Sequence, residues 1–89
     1  MARPWEADPG ARPLRRLGRS PRDLGNTNNV RGCPDIWELD NGDIAVIGRD
    51  LTDHYTGLLP SDAAVDDDER LVVIPRNVLV SAKADIPDA

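Results

Sequence analysis

The stretch WELDNGDIAVIG, Trp37 to Gly48, decides the fold: two apolar, β-prone runs are joined at Asp40-Asn41-Gly42. Asp35 to Leu39 and Asp43 to Ile47 read as strands, and Asn41-Gly42 is the pair that tolerates positive φ at both central positions of a type I′ hairpin turn. In the second strand Ile44 and Val46 share one face and Ala45 and Ile47 the other. Both faces are therefore apolar, and the strand needs cover on both sides.

Toward the C-terminus, Asp50 is placed to cap a short helix, with Asp53 near the positive end of its dipole. Leu51, Tyr55, Leu58 and Leu59 fall at helical spacing, while Gly57 weakens that helix and Pro60 limits it. A polar, acidic loop runs from Ser61 to Glu69. Leu71 to Ile74 reads as a buried strand, and Pro75 suits the first turn of a helix whose inner face is Val78, Leu79, Ala82 and Ile86. A right-handed crossover from the hairpin through the first helix sets the third strand parallel beside it. The expected fold over residues 33–89 is a small acidic α+β domain: a three-stranded sheet in the order β-hairpin, helix, strand, helix. Its helices lie on one face, which leaves the sheet face near Trp37 uncovered.

Toward the N-terminus the composition changes. Residues 1–32 carry seven arginines against three acids, net plus 4, whereas residues 33–89 carry four basic and thirteen acidic groups, net minus 9. Pro4, Pro9, Pro13 and Pro21, with Gly10, Gly18 and Gly25, interrupt any sustained helix or strand pattern. The few apolar residues here do not offset an ordering cost of roughly 1–2 kcal/mol per residue. The expectation is a flexible basic arm over residues 1–32, with at most a helical turn at Leu14 to Ser20.

A chain of 89 residues is one domain at most, and a unit of that size is marginal unless something supports it. Cys33 is the only cysteine, which excludes an intrachain disulfide and a thiolate metal cage within one chain. No apolar run approaches the length of a membrane span, and the N-terminus lacks the apolar core of a signal peptide. A cytoplasmic protein without cofactor or metal is the expectation.

Candidate chemistry is sparse. Cys33 and His54, with Asp50 or Asp53 to orient the imidazole, have the residue types of a nucleophile and base, but no motif brings them together and nothing supplies an oxyanion hole. The run Asp66, Asp67, Asp68, Glu69 offers hard oxygens without the ligand spacing of a calcium loop, and reads as a solvated acidic loop. Arg12, Arg15, Arg16 and Arg19 have the charge to neutralise phosphates. The acidic remainder opposes nucleic acid, and no aromatics are interleaved to stack bases. Equally, the arm suits the acidic face of another copy.

Glu69 to Ile86, ERLVVIPRNVLVSAKADI, resembles the strand, Ile-Pro, helix passage of swapped-hairpin transcription factors of the AbrB type. Ile74-Pro75 matches, but the helix carries only Arg76 and Lys83 and no further strand pattern follows. That resemblance implies DNA binding by the arm and the Ile74-Pro75 helix. The wider pattern GCPDIWELDNGDIAVIGRDLTD, followed by DDERLVVIPRNVL, resembles a group of small uncharacterised actinobacterial proteins often encoded beside helix-turn-helix regulators. It implies a regulatory accessory role and carries no site residues. The expected function is non-enzymatic protein binding, through Trp37, Tyr55 and the Asp66 to Glu69 loop, to a DNA-binding regulator or a second copy.

Overall fold

A computed structural model describes residues 3–29 and 31–86. The fold is small α+β, with a three-stranded antiparallel sheet, a second two-stranded sheet and two short helices. In chain order these are β1 (Pro13–Arg16), β2 (Asp35–Leu39), β3 (Ile44–Ile47), β4 (Arg49–Asp50), α1 (Thr52–Tyr55), β5 (Val72–Val73) and α2 (Arg76–Ala82). Short 3₁₀ turns, Thr56–Leu58 and Lys83–Asp85, extend the two helices.

The hairpin forms where the sequence places it, with Trp37 opposite Ala45 and Ile36 opposite Val46. Its turn differs from the expected type I′. Asn41 keeps a negative φ and Gly42 alone is positive, at 91°. The Gly42 N–H donates to the Leu39 carbonyl at 3.0 Å, and the Leu39 N–H to the Asp43 carbonyl at 2.9 Å. This is a three-residue loop closed by a glycine bulge, which confines the left-handed conformation to the residue without a Cβ. The Asn41 side chain instead accepts the Asp43 N–H at 3.0 Å.

The third strand of the sheet comes from the opposite end of the chain to that expected. It is β1, within the segment read as a flexible arm, and it lies antiparallel to β2, so the sheet order is β1-β2-β3. The run at Leu71 to Ile74 does form a strand, β5, but pairs antiparallel with β4 in the second sheet. Nor is Leu14 to Ser20 helical: the helical turn falls at Pro21 to Gly25. There the Asn26 N–H reaches the Pro21 carbonyl at 2.9 Å and the Gly25 N–H the Arg22 carbonyl at 3.1 Å, with Gly25 at φ 78°. That pairing is a Schellman closure, which satisfies carbonyls a single turn leaves open.

Side-chain partners account for β1. Arg15 Nε lies 2.9 Å from Glu38 Oε1, and Arg16 Nε lies 3.0 Å from both carboxylate oxygens of Asp35. Beyond the strand, the Leu17 N–H donates to the Ile36 carbonyl at 2.9 Å. Leu17 then inserts into the core, where only 2% of it remains exposed, beside Ile36, Val78 and Ala82. Leu24 and Ile74 pack around this cluster. The core thus draws on both sides of Gly32.

Helix α2 starts after Pro75, whose extended backbone (φ −64°, ψ 149°) sets the entry, and it buries Val78 and Ala82. Leu79 and Ile86, expected on the inner face, are exposed. Helix α2 packs on β2 and on Leu17, and Val78 and Ala82 supply the stripe buried there. Residues 18–19 close onto its C-terminal end. The Gly18 N–H donates to Asp85 Oδ2 at 2.7 Å, the Arg19 N–H to Ser81 Oγ at 2.8 Å, and an Arg15 terminal nitrogen to the Asp85 carbonyl at 2.7 Å. Asn26 and Asn77 pair their side-chain amides at 3.0 Å. Helix α1 buries no residue. Asp50, expected to cap it, is not the capping residue: Leu51 takes that position without a side-chain bond, and the Asp50 carboxylate one residue earlier accepts the Thr52 hydroxyl at 2.7 Å and the Thr52 N–H at 3.1 Å.

Candidate functional site

The basic residues singled out in the sequence divide into two pairs. Arg15 and Arg16 are held by Glu38 and Asp35 within the sheet. Asp35 is only 5% exposed, and a carboxylate at that depth needs its cation, since removing one partner of a buried pair strands the other charge. Arg12 contributes through its backbone, its N–H donating to Asp40 Oδ1 at 3.1 Å. The Arg19 backbone is tied to Ser81, while the residue stays exposed. Half of the expected phosphate-binding cluster is therefore neutralised by the same chain.

Trp37 sits on the central strand and is half-buried, with the Arg16 guanidinium carbon 4.9 Å from the centre of its ring. The sheet face at Trp37, expected to be open, thus has a cationic lid at its middle. Tyr55 ends α1, half-buried, with its ring edge-on to His54 at 4.7 Å. Trp37 and Tyr55 lie in different parts of the fold, on the three-stranded sheet and on the helix after β4.

The acidic loop is a closed turn: the Asp66 N–H donates to Glu69 Oε1 at 2.9 Å and the Glu69 N–H to the Asp66 carbonyl at 3.0 Å. Asp66, Asp67, Asp68 and Glu69 are all exposed. Arg3 crosses to this loop, binding Asp68 through both terminal nitrogens, approaching Asp66 at 3.7 Å and reaching Glu6 at 3.0 Å. Hydrogen bonds from Arg3, then its charge, hold the Asp68 carboxyl below the usual aspartate range, and Arg3 lowers Glu6 likewise. Hydrogen bonds from the Thr52 hydroxyl and N–H do the same for Asp50.

A depressed carboxyl pKa gives a contribution that is complete above the unfolded value and is lost as pH falls through the folded one. In a carbon-13 titration, Asp68 is expected to protonate below an unperturbed aspartate. Arg3→Ala should raise it back toward the ordinary aspartate range. An unchanged Asp68 titration in the variant would remove Arg3 from the loop.

Cys33 and His54 are not brought together. Cys33 is exposed and lines a hollow of about 180 Å³ with Asn26, Pro34, Gly48 and Val73. His54 faces a separate, open concavity with Asp50, Asp53, Asp67 and Arg70. Among the described residues no three histidine, cysteine or acidic side chains are grouped to hold a metal ion, and no helix is long and apolar enough to cross a membrane.

What sequence reasoning missed is the distribution of apolar surface. Ile44 is 48% exposed, Val46 43% and Ile47 49%, all on β3, which lies at the edge of its sheet. The signal for this was present, since both faces of that strand are apolar. Its position at an edge was not legible, because the strand that completes the sheet is β1. Leu79 and Val80 add exposed apolar surface on α2.

No family model, curated protein or solved structure matches the chain. The resemblances drawn from the sequence accordingly assign no role to any residue. The fold and its surface define a small α+β protein with apolar side chains exposed along an edge strand.

Proposed function

We propose that this protein is a non-enzymatic protein-interaction module acting in the cytoplasm. The observation that supports the reading is the exposure of Ile44, Val46 and Ile47 on one edge strand, in a chain whose hydrophobic core among the described residues is Leu17, Ile36, Val78 and Ala82. Apolar side chains exposed on both faces of an edge strand suit contact with another polypeptide, and binding stabilises a small fold by mass action. A regulatory accessory role, with a DNA-binding regulator as partner, rests on the resemblance to proteins encoded beside such regulators.

Direct DNA binding by residues 12–19 and the Ile74-Pro75 helix is the competing reading. It is disfavoured by the internal pairing of Arg15 and Arg16 and by a net charge of minus 5. Light scattering on the purified chain, together with affinity purification from its own cells, tests the proposal. A self-associated protein or a stoichiometric protein partner is expected. A monomer that recovers no protein but shifts duplex DNA at physiological salt would overturn it.

A further inference from the structure

The β3 edge belongs to a longer open ribbon. In an antiparallel pair, alternate residues turn their backbone groups toward the partner strand. Asp43 turns its carbonyl to Leu39 of β2, and Leu51 turns its N–H to the Leu71 carbonyl beside β5. Both are odd-numbered, so β2 and β5 lie on the same side of the segment, one after the other. The even-numbered residues Ile44, Val46, Gly48 and Asp50 direct their N–H and C=O groups to the opposite side, where no described strand pairs with them.

The two edges of the three-stranded sheet are not alike. The β1 edge carries Pro13, two arginines and an irregular register between Pro13 and Arg15, the devices that block edge-to-edge pairing. On β3, Ile44 to Ile47 has no charge, no proline and no bulge within it. Only one of the two edges is guarded.

Resting on the reading of this protein as an interaction module, we infer that the occupant of this edge is the same edge of a second copy, paired antiparallel about Val46. Charge selects that register. Pairing Val46 with Val46 of the second copy sets Ile44 against its Gly48 and Ala45 against its Ile47. It also sets Asp43 against its Arg49, twice by symmetry. Shifting by two residues in either direction faces Asp43 with Ile47 or Leu51, and shifting by one turns inward-bonded groups to the interface. In the register about Val46 the outward-directed residues meet one another and form hydrogen-bonded pairs. Ile47 gains an apolar neighbour on the Trp37 face, and the two sheets join as one six-stranded sheet across a two-fold axis. Because the edge is short, the dimer dissociates on dilution.

Sedimentation equilibrium of the full chain, with circular dichroism to verify folding, tests this by charge reversal. Asp43→Arg alone sets the introduced arginine against Arg49 of the second copy, and Arg49→Asp alone sets the introduced aspartate against Asp43. Each is expected to weaken self-association about tenfold, from two attractive cross-strand pairs made repulsive. Mixing the two variants restores opposite charges at one pair of positions and like-sized, opposite charges at the other, so the heterodimer should form more tightly than either variant alone. Val46→Pro, which removes an outward N–H and no bond to β2, should abolish the dimer with the hairpin retained. If the wild-type chain is monomeric at all concentrations, or if folded charge-reversal variants associate like wild type and gain nothing on mixing, the pairing is wrong. A stoichiometric foreign partner in the first case, or a dimer in the second, would leave the interaction-module reading standing.

Discussion

Replacing Gly18 with alanine is expected to unfold the protein at ambient temperature or bring it close to that point. Gly18 sits at φ 81°, and a Cβ added there would stand 2.7 Å from the Ala82 nitrogen and 2.7 Å from the Ser81 carbonyl carbon. These are backbone atoms of α2 and cannot swing aside. The left-handed conformation costs an L-residue about 1–2 kcal/mol, and forcing apart two packed elements about 1–3 more. Total stability for a domain is only about 5–15 kcal/mol, and a small core lies at the low end. Gly25→Ala and Gly42→Ala are the controls. Their φ values are 78° and 91° with nothing within 4 Å, so each should cost only the conformational ~1–2 kcal/mol in urea melts. If Gly18→Ala behaved like these two, the closure of residue 18 onto α2 would be wrong.

Leu17→Ala is the second large effect. Leu17 is the one large side chain buried to 2% exposure, and truncating a leucine so placed costs about 2–5 kcal/mol. The core around it is lean, Ile36, Val78 and Ala82 with Leu24 and Ile74 at its margin, so little can collapse into the space left. A residue in a free basic arm would show no change on the same substitution. Equilibrium unfolding of Leu17→Ala beside Leu14→Ala separates the cases, because Leu14, three residues earlier, is exposed and should lose little.

The hairpin and α2 were legible because each carries local chemistry that few other conformations satisfy. Asp-Asn-Gly needs a turn, and a proline after a β-prone run needs an extended step followed by a helix. The strand β1 was not, since Pro-Leu-Arg-Arg has neither alternation nor β propensity. It is a strand because Glu38 and Asp35 on β2 hold its arginines and Leu17 anchors its end. Tertiary context there overrides local preference. Segment 71–74 shows the converse: its propensity identified a strand, but propensity does not name a neighbour, and β4 took it instead of the hairpin.

Charge was legible as an asymmetry and misleading as to its recipient. The excess of arginine before Gly32 and of acid after it reads as one body awaiting another. In the folded chain Arg3 with Asp68, Arg15 with Glu38 and Arg16 with Asp35 join the two parts to each other. The Arg3 pair is exposed and selects the docked arrangement more than it holds it, whereas Arg16 keeps the buried Asp35 carboxylate from being stranded without its cation. The free surface is then apolar, along β3, and its two-faced apolar pattern was visible from the start without its place in the sheet.

The claim on which the rest stands is that residues 13–18 are part of the sheet and core, because this ties Arg15 and Arg16 to the chain's own carboxylates and leaves β3 as an open edge. Hydrogen exchange at the Leu17 amide measures it without perturbing the chain. Its N–H is donated to the Ile36 carbonyl in the most buried part of the molecule. Protection at the level of the Val78 amide, opening only with global unfolding, is the result the structure predicts. Exchange of the Leu17 amide at the rate of an unstructured peptide, while Val78 stays protected, would contradict it.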